Sequence, residues 1–129
     1  MLHDATVFSG FSVNDLKAAL GFYKDTLGLD VTDTEGMGLD VTFSSGGSVF
    51  IYEKPDHVPA TFTILNFSVE NIDVVVDELV AKGVKFEHYD SMPGAQDEKE
   101  IMRGKVANMG PDIAWFKDPA GNILAVLQN

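Results

Sequence analysis

The chain of 129 residues has no cysteine. That excludes disulfides, thiolate nucleophiles, iron–sulfur clusters and cysteine-ligated zinc together, and it fits a reducing compartment. Basic residues are also scarce, with 9 Lys and Arg against 20 Asp and Glu and a formal net charge of -11. A field of that sign repels phosphate backbones and anionic lipid, and no Lys/Arg cluster offers a local exception, which argues against nucleic acid as a partner. No stretch is apolar for long enough to span a bilayer, so no membrane partner is expected. Met1-Leu2-His3-Asp4-Ala5-Thr6 has neither the basic start nor the apolar run of a secretory signal. The expected location is the cytoplasm.

Several catalytic signatures are missing as well. There is no Gly-x-Ser-x-Gly elbow, and His3, His57 and His88 are scattered with no serine pattern beside them, so a hydrolase triad has no support. Gly36-Met37-Gly38 and Gly46-Gly47 lack the spacing and the following helix of a phosphate loop and read as turns. His-x-His and His-Glu-x-x-His do not occur.

What the chain does have is a core and a repeat. Hydrophobic residues make up 45% and charged residues 22%, the balance of an ordinary globular protein, and the length suits one domain over 1–129. Phe8-Ser9-Gly10-Phe11-Ser12-Val13-Asn14-Asp15-Leu16 can be laid without a gap on Ile64-Leu65-Asn66-Phe67-Ser68-Val69-Glu70-Asn71-Ile72, with the central Phe-Ser-Val identical. In each copy an alternating strand-like run passes through a helix-capping residue into a segment of helical period. The first predicted helix carries Leu16, Ala19, Leu20 and Tyr23 on one stripe, the second Ile72, Val75, Val76 and Leu79. Each then meets a glycine, Gly28 or Gly83, followed by a strand over 29–32 or 84–87. Two more strands follow in each half, over 39–44 and 48–53 joined at Gly46-Gly47, and over 112–117 and 122–128 joined at Asp118-Pro119-Ala120-Gly121.

Both halves therefore read strand, helix, strand, strand, strand, as modules of about 1–55 and 60–129, with 55–59 as the link. Between Tyr89 and Pro111 a polar stretch breaks the repeat. It reads as an exposed loop or as a cover over a pocket, with a short strand before Gly110.

Phe8-x-x-Phe11-x-Val13-x-Asp15-Leu16, Phe22-Tyr23-Lys24-Asp25-Thr26-Leu27-Gly28-Leu29 and Trp115-Phe116-Lys117-Asp118-Pro119-Ala120-Gly121-Asn122 resemble the marker segments of the vicinal oxygen chelate superfamily. That superfamily includes glyoxalase I, bleomycin resistance proteins and extradiol dioxygenases. The resemblance covers nearly the whole chain. It implies an α+β fold of two βαβββ modules whose curved mixed sheets form a cleft. Homodimers are common in the family, and a homodimer is expected on that ground. Metal-dependent members hold their ion on four strand positions, which by counting fall on Phe8, Ile51, Ile64 and Ala125 here. None of the four is a donor, so no metal and no other cofactor is expected.

Alternation along the strands then groups Phe8, Gly10 and Ser12 with Val49, Ile51 and Glu53, and Ile64, Asn66 and Ser68 with Ile123, Ala125 and Leu127. These residues serve either as pocket walls or as core filling. The resulting candidate ligand-binding set is Phe8, Ser12, Ile51, Glu53, Ile64, Asn66, Trp115 and Ala125. The expected function is a metal-free binding protein similar to the bleomycin resistance branch, sequestering an apolar, aromatic or cationic small molecule. The alternative is an enzyme of the same superfamily, lyase- or dioxygenase-like, using a metal at other positions or a protein-only acid/base pair. Glu53 and His88 are the candidates for that pair.

Overall fold

The structure, a computed structural model, describes residues 1–91 and 95–129. Met92, Pro93 and Gly94, part of the polar stretch after Tyr89, lie outside the described residues. The chain forms two compact units, Met1–Pro59 and Ala60–Asn129.

In the first unit, a short 3-10 turn at Leu2–Asp4 precedes β1 (Ser9–Val13), α1 (Leu16–Leu20), β2 (Asp30–Thr34), β3 (Gly38–Thr42) and β4 (Ser48–Glu53). They form a mixed sheet ordered β1-β4-β3-β2, with β1 parallel to β4 and the other pairs antiparallel. Asp15 caps α1, its carboxylate accepting from the Ala18 amide at 3.1 Å. The helix widens into a π-helical turn over Gly21–Thr26, which keeps Ala19 and Tyr23 buried against the sheet.

The second unit repeats the plan with β5 (Thr63–Ser68), α2 (Ile72–Ala81), β6 (Met102–Arg103), β7 (Asp112–Lys117) and β8 (Ile123–Gln128), ordered β5-β8-β7-β6. Asn71 caps α2 through the Val74 amide at 3.2 Å. The helix buries Ile72, Val76 and Leu79, one stripe of helical period.

Residues 84–87 do not form the expected strand. Val84 and Phe86 are buried, Phe86 edge-on to Phe116 with ring centroids 5.5 Å apart, but the backbone makes only an isolated bridge between those two phenylalanines. Beyond that bridge the Glu87 amide donates to the Trp115 carbonyl at 2.8 Å, and the Glu87 carbonyl accepts from Gln96 Nε2 at 2.8 Å. The fourth strand of this sheet is instead β6, inside the polar stretch. Arg103 anchors it, forking onto Asp73 of α2 at 3.0 and 2.7 Å and donating through Nε to Asp97 at 2.9 Å. The guanidinium holds the Asp73 carboxyl down at about 2.

Candidate functional site

Strand register decides which side chains can meet a ligand, because residues paired across a ladder share a face. In the first unit Phe11 pairs with Ile51 and Val13 with Glu53, while Leu39 also pairs with Ile51. Phe11 packs on Tyr23 with centroids 5.9 Å apart, which puts this whole set on the helix side. Val13, Leu39, Val41, Val49 and Ile51 are all buried there. The opposite face carries Gly10, Ser12, Phe50 and Tyr52, with the Phe50 and Tyr52 rings stacked at 6.3 Å. Gly38 belongs to this packing: at φ +152 a side chain would collide with the Ile51 carbonyl and the Phe50 ring.

Two residues of the expected binding set therefore move. Ile51 is fully buried under α1 and is a core residue, and the register gives its place on the opposite face to Phe50. Glu53 lies at the N-terminus of α1, where Oε1 accepts from the Leu16 amide at 3.0 Å. Its counterpart is Gln128, whose Oε1 accepts from the Ile72 amide at the start of α2 at 2.9 Å. Both are helix-terminus acceptors for a backbone N–H that no helical carbonyl can reach.

Phe8, just before β1, is exposed, and Ser12 is half-buried on the face opposite the helix. Ser12 Oγ lies 2.6 Å from Nδ1 of His57, a residue of the segment after β4. That contact was not legible in the sequence, since 45 residues separate the partners.

In the second unit β8 pairs Ala125 with Asn66 and with Trp115, so these three expected residues do share one face, with Ser68 and Leu127 beside them. Ile64 sits at a shift of register between Thr63 and Leu65, a bulge that takes it out of the ladder. The same face bears a cavity of about 230 Å³ lined by Thr61, Phe62, Thr63, Tyr89, Ser91, Trp115 and Ile123. Trp115 is its floor, only 8% exposed, and meets the Tyr89 ring edge-to-face at 5.7 Å. Phe62 is 67% exposed at the mouth. Among the described lining residues Tyr89 is the only titratable group, and burial pushes its hydroxyl above the ordinary value of 10.0, so it is neutral near pH 7.

Of the cavity residues, only Trp115 is in the expected set. Thr61, Phe62 and Thr63 precede or open a strand, and Tyr89 and Ser91 fall in a stretch with no period. Only an aromatic residue among polar neighbours could have flagged Tyr89. His88 lies outside the lining, on the exposed side of the same segment.

The Tyr89 hydroxyl is buried with no hydrogen-bond partner among the described residues. A buried unpaired hydroxyl costs about 1–3 kcal/mol. Tyr89→Phe is therefore expected to leave stability unchanged or to raise it by about 1 kcal/mol in urea unfolding. A loss of that size would mean the hydroxyl has a partner.

The resemblance implies four strand positions for a metal, and none of them carries a donor side chain here. Phe8, Ile64, Ala125 and, with the register corrected, Phe50 offer no lone-pair donor, and a divalent ion needs imidazole, carboxylate or other donors of that kind. Among the described residues no group of three or more His, Asp or Glu side chains is placed to hold an ion. No helix of the described residues is long and apolar enough to cross a membrane.

Two mixed four-stranded sheets, each from a strand-helix-strand-strand-strand module, define the vicinal oxygen chelate class of α+β proteins. Residues 6–126 match the glyoxalase/bleomycin resistance protein/dioxygenase superfamily, and the chain belongs to it. It is 29% identical to the uncharacterized protein YraH of Bacillus subtilis (strain 168) over 88% of this chain and 90% of that one. Among solved structures it is similar to TnmS3, an antibiotic binding protein from Streptomyces sp. CB03234. There the TM-score is 0.64 at 22% identity, over 97% of each chain. It is similar also to the fosfomycin resistance protein FosX of Listeria monocytogenes, with a TM-score of 0.69 at 12% identity over 98% of this chain and 93% of that one. At these identities the likeness is one of fold.

Proposed function

We propose that the protein binds a small, neutral aromatic molecule in the Trp115 cavity and holds it without a metal. The observation that carries this reading is the composition of the lining. Trp115, Tyr89, Phe62 and Ile123 supply apolar wall, and Thr61, Thr63 and Ser91 supply hydroxyls to orient a ligand. Among the described residues no carboxylate lines the cavity, so a cationic ligand would lose hydration with no carboxylate in the lining to replace it.

Size narrows the class. An apolar cavity of about 150 Å³ accepts benzene, and 230 Å³ has room for one fused two-ring system. Against the enzymatic alternative stand the placements of Glu53 at a helix terminus and of His88 outside the lining. In this reading the protein is a cytoplasmic homodimer, and light scattering is expected to give twice the chain mass of 14.0 kDa.

The chain has a single tryptophan, which makes Trp115 a clean reporter. Titration with coumarin, a neutral two-ring aromatic, is expected to quench its fluorescence and raise the melting temperature. The planar cation N-methylquinolinium is expected to do neither, and Trp115→Ala is expected to lose the coumarin-dependent stabilisation. If coumarin neither quenches nor stabilises, the reading fails.

A further inference from the structure

Beside the cavity, both ring nitrogens of His88 face carboxylates: Nδ1 is 2.6 Å from Glu100 Oε2, and Nε2 is 2.9 Å from Asp90 Oδ1. A neutral imidazole carries one N–H, and an ionised carboxylate only accepts. One of these two contacts would then set lone pair against lone pair. The geometry is that of an imidazolium donating twice, and it closes a clasp between residues 88–90 and the loop ending at Glu100.

This clasp adjoins the cavity wall. Tyr89 and Ser91 line the cavity and flank Asp90. Gln96 reaches across from the loop, its Oε1 accepting from the Tyr89 amide at 2.7 Å and its Nε2 donating to the Glu87 and Glu100 carbonyls, both at 2.8 Å. Glu100 itself has φ +64, unusual for a residue with a side chain and sustained only where its surroundings over-determine it. Asp97 adds to that constraint, its carbonyl accepting from the Glu100 amide at 2.9 Å and its carboxylate from the Lys99 and Ile101 amides.

From this arrangement, which rests on the cavity reading above, we infer that His88 is a positioning residue for the Tyr89–Ser91 wall, so that ligand retention weakens as the imidazolium loses its proton with rising pH. The groups facing the ring are Glu100 from the loop and Asp90 from its own segment. The nearby charges on packed elements are otherwise engaged, Glu87 with Lys117 of β7 and Lys99 with Asp73 and Asp77 of α2. Glu100 first, then Asp90, raises His88 above the ordinary 6.5. The charged clasp is therefore complete below about pH 6.5 and is lost as pH rises through the higher folded value. His88 is 54% exposed, so salt weakens the clasp.

The test follows Trp115 emission and coumarin affinity from pH 5.5 to 9 in the intact protein and in His88→Asn and Glu100→Gln, with folding checked by circular dichroism. The expected result is about fivefold tighter coumarin binding at pH 6 than at pH 9. An emission change centred above pH 6.5 without ligand should accompany it, and both should vanish in His88→Asn. Glu100→Gln is expected to move the emission midpoint down. Binding that is pH-independent in the native chain, or a pH profile retained in His88→Asn, overturns the inference and leaves the cavity reading standing. If coumarin does not bind at any pH, the cavity reading fails. The emission titration then still decides whether His88 positions this wall.

Discussion

Ile51→Ala is expected to destabilise the protein by about 2–5 kcal/mol, the range for deleting a large aliphatic side chain from a packed interior. Ile51 has no exposed surface and sits between Phe11 of β1 and Leu39 of β3 in the ladder, beneath α1. Little room exists for the neighbours to close over the gap, so the cavity penalty adds to the lost transfer energy. Phe50→Ala removes a larger side chain from the neighbouring position. The smaller loss is nevertheless expected there, because Phe50 is half-buried on the other face. Urea unfolding of the pair reads out which face of β4 is the core, and a larger loss for Phe50→Ala would reverse the assignment.

A second large effect is expected at the turn between β7 and β8. Asp118 is buried, and Oδ1 accepts from the amides of Ala120 and Asn122, both at 2.9 Å, while Oδ2 accepts from Asn122 Nδ2 at 3.0 Å. Its own amide donates to the Asn122 carbonyl at 2.9 Å, and Gly121 completes the reversal at φ +89. Asp118→Ala takes the acceptor from three donors, of which the two on Asn122 belong to a residue only 2% exposed. The expected cost is about 3 kcal/mol in denaturant unfolding. Asp118→Asn, which keeps one carbonyl oxygen for the amides but sets an NH2 group against Asn122 Nδ2, should lose less. Equal losses would mean that shape rather than hydrogen bonding holds the turn.

That turn is legible in the sequence, and so is the repeat. Asp-Pro-x-Gly-Asn requires an acceptor at its head and a permissive backbone at its fourth position, and both requirements are local. Asp15 and Asn71 announced the two helices for the same reason, since a capping side chain reaches only three residues along its own chain. The βαβββ order followed from these signals together with the apolar alternation of the strands.

The face of β4 was not legible. Matching Gly47 to Gly121 assigns Ile51 to the ligand side, but the ladder carries Ala125 to Phe50, one residue earlier. The two turns differ, Gly46 and Gly47 at φ +109 and +87 in one and a buried aspartate with a single left-handed glycine in the other. A slip of one residue at a turn exchanges every inward side chain for an outward one. Nor was the loss of the strand at 84–87 legible, since Gln96, which bonds the Glu87 carbonyl, comes from outside any periodic segment.

By itself the sequence determined the modules, the helix caps and the Asp118 turn. Each of these depends on residue identity or on neighbours a few positions away. Only the tertiary structure decided which side of β4 is core, that Glu53 ends a helix, that Ser12 meets His57, and that His88 is clasped beside a cavity walled by Tyr89 and Trp115. Those facts depend on register and on contacts between distant segments, which no local periodicity encodes.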